Sequence, residues 1–374
     1  MNNEKSIKIF VDCHVFDDGF QGTRTYLQGI YEHLIKEDNF HFFLASNNSE
    51  NLKSVFGTQQ NITFVTYKYH NKFLRLLFDI PAIIKKNKID YAHFQYIVAP
   101  IKKCKYIVTT HDLLFIDFPN YFPTLNRLIN TFLYKLSLKS TDIKLTVSQY
   151  SKLKIENHFH FQDVVITPNA VNEVFYEAYD KAVVKKEVAQ KFNLKKYIIY
   201  ISRWEPRKNH QLVLKSFVDL KLYKEYQLVF IGDSSIHSKE YFDFYDTLES
   251  RIQNQILSFQ KTDFQTMLTL LRGADVSVYP SIAEGFGIPP LESVAARIPT
   301  LCSNTTAMSD FDFMNQFLFN PYDQEEFKQK LKLILETDCS EEMKRLSNVV
   351  KEKYNWKTSA SVLKDKIIEN KKGD

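Results

Sequence analysis

Along the whole chain, short runs of β-branched and aromatic residues alternate with longer stretches whose apolar side chains recur at helical spacing. Strands are predicted at residues 8–11, 40–45, 63–67, 91–94, 106–110, 144–147 and 164–166, then at 197–201, 227–231, 276–279 and 300–303, with helices filling the intervals. This is the pattern of βαβ units, in which buried parallel strands are covered by helices. Pro168 and Asn169 end the last strand of the first half, and the charged stretch 176–186 reads as a structure-poor linker. Two α/β domains are expected, residues 1–175 and 176–374, with the last helix able to pack back on the first.

Length agrees, since 374 residues exceed what one hydrophobic core usually organises. A chain with 44% hydrophobic and 25% charged residues has ample material for a core and is not a disordered one. The N-terminus turns straight into a strand, without the apolar stretch and cleavage site of a signal peptide, so a cytoplasmic location is expected. Cys13, Cys104, Cys302 and Cys339 lie far apart and form no C-x-x-C pair, which points to free thiols rather than a zinc site or disulfides. A formal charge of +5 is too small to imply nucleic acid. The charge is uneven, however, because residues 68–105 hold nine Lys or Arg against Asp79 and Asp90. Within that window residues 71–88, and later residues 126–135, mix cations with large apolar side chains. Each is either an ordinary domain helix whose apolar face meets the sheet or a basic amphipathic helix in peripheral contact with an anionic membrane.

Four loops at predicted strand ends carry candidate chemistry, because open α/β sheets bind ligands beyond the carboxyl ends of their strands. After the first strand, Gly19 and Gly22 precede a helix and let backbone amides approach an anion, although the dinucleotide pattern G-x-G-x-x-G is absent. His111, leaving the run 106–110 beside Asp112, either meets a sugar hydroxyl or only satisfies a loop carbonyl. Arg203, Arg207 and Lys208 stand at the entrance of the helix that follows 197–201, where Arg203 and Lys208 are placed to neutralise a diphosphate. The fourth loop is the most informative: Glu284-Gly285-Phe286-Gly287-Ile288-Pro289-Pro290-Leu291-Glu292 sets two carboxylates on either side of a helix start. One carboxylate suits sugar hydroxyls and the other a ribose.

This last segment, with Pro280 and Ser281 before it, resembles the E-x7-E signature of glycosyltransferase family 4, retaining enzymes of GT-B fold, of the bacterial surface-polysaccharide type. The loop of Arg203, Lys208 and Asn209 is similar to the family's phosphate-binding segment, and His111-Asp112 to its first-domain histidine loop. The resemblance implies two Rossmann-like domains with parallel sheets facing across a cleft. It implies transfer of a hexose, mannose among the candidates, from a nucleoside diphosphate sugar to a hydroxyl of a glycan or lipid-linked oligosaccharide, as in O-antigen or capsule biosynthesis at the inner face of the cell membrane. Arg203 and Lys208 would bind the diphosphate, Glu284, Gly285, Phe286, Gly287 and Ile288 the donor sugar, and Glu292 the ribose. His111 and the loop ending at Gly22 would complete the site from the first domain, with no metal and no further cofactor. Glu284, His111, Arg203 and Lys208 are the residues to which the resemblance gives catalytic roles.

Two departures from the family pattern stand out. Arg297 occupies a position where many relatives have glycine, and the segment from Asp310 to Met314 replaces a glycine-rich stretch. Its D-x-D spacing is read as a surface loop and not as a metal site. An epimerase or phosphorylase of the same architecture, or a sugar-nucleotide-binding partner without activity, remains an alternative. A dehydrogenase is disfavoured by the missing dinucleotide fingerprint.

Overall fold

In a computed structural model of the chain, residues 6–17, 22–233 and 238–372 are described. The chain divides into two compact units, Met1–Ala170 with Tyr354–Asp374, and Val171–Lys353. In the first, β1 (Ile7–Asp12), β2 (Phe40–Ser46), β3 (Ile62–Thr66), β4 (Tyr91–Gln95), β5 (Lys105–Thr109), β6 (Ile143–Thr146) and β7 (Val164–Ile166) form one sheet in the order β3-β2-β1-β4-β5-β6-β7. In the second, β8 (Tyr197–Ile201), β9 (Gln227–Ile231), β10 (Ile256–Phe259), β11 (Val276–Tyr279), β12 (Thr300–Ser303) and β13 (Leu318–Phe319) run in the order β10-β9-β8-β11-β12-β13. Neighbouring strands are parallel in both sheets. Strand order reverses between β1 and β4, and again between β8 and β11. At such a switch point the two loops leave the sheet in opposite directions and open a crevice at its carboxyl edge.

β10 and β13 were not predicted, and both are sheet edges. β10 is largely half-buried and interrupted by the exposed Ser258, and β13 has only two residues, so each run is too short to stand out. The division falls after Ala170 instead of residue 175, and the closing segment Tyr354–Asp374 belongs to the first unit. The stretch 176–186 is not structure-poor either. The Asp180 carboxylate accepts hydrogen bonds from the amides of Ala182 and Val183 and so starts a helix, Lys181–Phe192. The expected surface loop from Asp310 to Met314 is a pair of 3-10 turns, Thr306–Asp310 and Asp312–Phe317, with Phe311 and Met314 buried. Its apolar side chains pull it into the core. Arg297 takes the left-handed conformation (φ 60°) that ends the helix Ile288–Ala295, where glycine is normally favoured. Its guanidinium donates to the Glu177 carbonyl at 2.9 Å and lies over the Tyr179 ring.

The helix Thr124–Ser140 does not lay its apolar face on the sheet. Leu125, Leu128, Ile129, Phe132 and Leu136 follow one helical stripe and are all exposed, Leu125 by 68%, while only Ser137 and Leu138 are buried. The stretch 71–88 is divided: Leu76, Ile80 and Ile84 join the core, whereas Phe73, Leu74, Leu77 and Phe78 stay exposed around the π-helical turn Arg75–Asp79.

The last helix, Trp356–Lys372, buries Ala360, Leu363 and Ile367 in the first unit. Tyr91 donates to Asn370 Oδ1 at 3.1 Å and Ser359 to the Pro168 carbonyl at 2.8 Å. Its indole fills a notch at Gly29 in the helix Gly22–Leu34, where a Cβ would stand 2.1 Å from the Trp356 ring. Gly29→Ala must therefore displace the indole, and a loss of about 1–3 kcal/mol is expected, read as a lower Tm by calorimetry. An unchanged Tm would show that Trp356 does not occupy the notch.

Candidate functional site

The second unit brings Arg203, Lys208 and Glu284, three of the predicted donor residues, together at the β8/β11 switch point. After β8, the chain makes the turn Pro206–Lys208 and enters the helix His210–Asp219 through Asn209, which is left-handed at φ 58°. After β11, the loop is joined to that turn by the Ile282 amide, which donates to the Arg207 carbonyl at 2.8 Å. Glu284 then lies between two cations: Lys208 Nζ is 2.5 Å from Oε1 and Arg207 Nη1 is 3.2 Å from Oε2. Arg207 also reaches Glu205 at 2.7 Å, and Glu205 reaches Arg203 at 3.2 Å. The five side chains make one alternating row, Arg203, Glu205, Arg207, Glu284, Lys208, that begins and ends positive.

Burial opposes ionisation of Glu284, but Lys208 and Arg207 outweigh it and hold the carboxyl at about 2. Burial pulls Lys208 below the usual ammonium range, with Glu284 working the other way. Arg203, the outermost of the row, is 59% exposed. Arg207 was not among the expected site residues, yet it is closer to Glu284 than Arg203 is. Three adjacent cations in a sequence do not reveal which of them a turn will aim inward.

The Glu284 backbone is held from a third side. Its amide donates to Thr306 Oγ1 at 2.9 Å, and Thr305 Oγ1 donates to the Ile282 carbonyl at 3.0 Å. Thr306 sits at φ 53°, an outlier for a β-branched residue and a mark of strain kept where a site needs it. No pattern in the sequence announced either threonine. Gly285, Phe286 and Gly287 carry the chain from β11 into the helix Ile288–Ala295. Gly287 is required there on two counts, a φ of 100° and a Cβ position 2.8 Å from Met308 Cγ. Phe286 is buried with its ring 5.9 Å from that of Phe311.

Glu292, in this helix, is partly buried; its carboxyl makes no hydrogen bond or ion pair among the described residues, and burial alone pushes it up to about 7. In the first unit, His111 is buried just beyond β5 and burial pulls it down to about 3, so the imidazole is neutral. Gly22 is the first residue of its helix, exposed, with open space where a Cβ would stand, so no packing demands glycine there. The rest of its loop, residues 18–21, lies outside the described residues. Among the described residues no group of three or more His, Cys, Asp or Glu could hold a metal ion.

Glu292 yields a stability prediction. Its folded pKa of about 7 lies above the ordinary 4.5, so the native state holds the proton more tightly and stability falls as pH rises from 4.5 to 7. Glu292→Gln removes the buried charge. Its Tm should exceed that of the wild type at pH 8 by more than at pH 5, and equal differences at the two pH values would show that Glu292 is solvated.

Two family models match the chain, one described as Glycosyltransferase Family 4 over residues 20–174 and one as Glycosyl transferases group 1 over residues 184–353. The O-antigen chain mannosyltransferase RfbU of Salmonella typhimurium is 23% identical over 71% of this chain and 69% of its own. The O-antigen chain mannosyltransferase B of Escherichia coli is 27% identical over 54% of each chain, so this protein spans about half of that relative. Sucrose-phosphate synthase from Thermosynechococcus elongatus shares the fold, with a TM-score of 0.79 and 14% identity over 99% of this chain and 100% of that one. Two parallel-sheet units, the Glu284 to Glu292 loop and family matches to both halves lead to one conclusion: the chain is a glycosyltransferase of GT-B fold and belongs to family 4.

Proposed function

We propose that the protein transfers a hexosyl group, with retention, from a nucleoside diphosphate sugar to a hydroxyl of a glycan or lipid-linked oligosaccharide during synthesis of a surface polysaccharide. The alternating charge row at the β8/β11 switch point carries this reading. Its ends, Arg203 and Lys208, suit a leaving diphosphate, and a fixed carboxylate between them suits sugar hydroxyls. The bond from the anomeric carbon to the diphosphate breaks as the bond to the acceptor oxygen forms, and the acceptor's hydroxyl proton passes to the departing diphosphate oxygen. The cations stabilise the charge that accumulates on the diphosphate, which is work a metal does elsewhere. Glu292 is the ribose ligand and His111 a contact to a substrate hydroxyl. The O-antigen mannosyltransferases among the relatives make mannose the first donor sugar to try, on each nucleoside diphosphate in turn.

Turnover with a panel of nucleoside diphosphate sugars tests this. Glu284→Gln should lower turnover at least about tenfold, roughly 1.4 kcal/mol of barrier, with a native circular dichroism spectrum. Full activity in the folded variant would remove Glu284 from the site.

For the acceptor, we favour a substrate presented at the cytoplasmic face of a membrane. The outward apolar stripe of Thr124–Ser140 and the exposed Phe73, Leu74, Leu77 and Phe78 support it, as do the exposed Lys85 and Lys86 near them in sequence. No helix among the described residues is long and apolar enough to cross a membrane. Each basic residue near an anionic surface contributes about 1 kcal/mol, enough for reversible attachment in combination with inserted side chains. The protein should pellet with anionic liposomes at low salt, less so at high salt, and less with Lys85→Glu and Lys86→Glu together. Pelleting that ignores lipid charge, or none at all, would favour an acceptor free in solution.

A further inference from the structure

His111 is gripped by its neighbours. The Tyr26 ring meets it edge-on at 5.1 Å, and the Tyr96 ring lies tilted at 5.3 Å and is itself stacked on Tyr134 at 5.0 Å. Rings limit tilt but leave open which nitrogen carries the proton. That choice falls to Gln95, the last residue of β4, whose Oε1 is 2.6 Å from His111 Nε2. The amide oxygen is the atom against the ring: a separation of 2.6 Å is short for N–H to oxygen and shorter still than any N–H to nitrogen bond, and the amide nitrogen faces His93 instead. An amide oxygen only accepts, so Nε2 must donate. Burial keeps the ring neutral, and its single proton is thereby used; Nδ1 retains a lone pair and makes no hydrogen bond among the described residues.

Gln95 is held in turn. Its amide nitrogen faces His93 Nε2 at 3.4 Å, and His93 is fixed by Thr109 Oγ1 at 2.8 Å and the Tyr31 hydroxyl at 2.7 Å. These side chains are buried, and burial, with His111 nearby, also pulls His93 down to about 3. Directly after Gln95, Tyr96 takes a left-handed φ of 62° while its amide donates to the Thr109 carbonyl at 3.0 Å. A strained residue in this place sends the chain off β4 sharply, with the Gln95 side chain on His111 and the Tyr96 ring against the same imidazole.

We infer that Gln95 is a positioning residue that locks His111 as its Nε2–H tautomer, so that Nδ1 meets the substrate as a hydrogen-bond acceptor. The inference rests on the reading of His111 as a substrate contact. A ring so locked takes a hydrogen bond from a sugar hydroxyl and gives no proton to the reaction. It selects a substrate that carries an O–H at that point over a deoxy or alkylated analogue.

The full-length protein labelled with 15N-histidine allows a direct test, because long-range proton–nitrogen correlations distinguish the two tautomers without any turnover. His111 signals are assigned by their loss in His111→Asn. The wild type should show Nε2–H at His111. Gln95→Met, similar in size but without an amide oxygen, should admit the Nδ1–H form and lower kcat about tenfold or more, with nucleoside diphosphate affinity by calorimetry unchanged. Gln95→Glu keeps an acceptor oxygen and should restore the Nε2–H form and part of kcat. A wild-type His111 protonated on Nδ1 overturns the inference, and so does a Gln95→Met protein with wild-type tautomer and kcat. Should Gln95→Met fail to fold, the wild-type and Gln95→Glu spectra decide the matter. Absence of turnover in the wild type with every donor would instead refute the glycosyl-transfer reading, with the tautomer still read from the spectrum.

Discussion

A carboxylate taken out of water must find cations or take up a proton, and the second unit shows both outcomes within one loop and helix. Glu284 is paired with Lys208 and Arg207 and stays ionised down to about pH 2, whereas unpaired Glu292 holds its proton to about 7. The rest of the carboxyl edge follows from the first outcome. Lys208 and Arg207 come from the loop after β8 and Glu284 from the loop after β11, so the pairing fixes two loops that the switch point would otherwise let diverge. Thr306 keeps a strained backbone to hold the Glu284 amide, and Phe311 and Met308 close under Gly287. Each of the three cations faces a carboxylate, so Arg203, Arg207 and Lys208 stand in one row of alternating charge.

Much of this was legible in the sequence for a physical reason. Parallel strands buried on both faces must be apolar throughout, so β8, β9, β11 and β12 stand out as runs at their true bounds. Where burial is partial the signal fades, as at the edges β10 and β13. The loop from Glu284 to Glu292 was visible because glycines, prolines and two carboxylates at fixed spacing have few other uses. Arg207, Thr305 and Thr306 were not, since their roles come from where a turn points and from a backbone conformation that residue type does not predict. Gln95 was hidden for another reason: a lone glutamine at the end of a strand carries meaning only once His111 is seen opposite it.

The helix Thr124–Ser140 marks a different limit. Its apolar period was plain, and a period says that a face will be covered without saying by what. Leu128 and Phe132 have the spacing of core residues and are exposed, so in this unit the same pattern that builds the interior also dresses the surface.

The chain leaves its first unit after Ala170 and returns to it at Tyr354. During synthesis the helix that carries Gly29 is therefore complete long before the indole that fills its notch has been made. At translation rates of about 5–20 residues per second, the segment Val171–Lys353 delays Trp356 by roughly 10–40 seconds. Over that interval Tyr91 and the Gly29 surface lack their partners in the helix Trp356–Lys372, and the first unit is finished by a segment made after the second. A nascent chain stalled or cut anywhere before residue 354 would leave an open first unit for chaperones to cover, however well its own seven strands had paired.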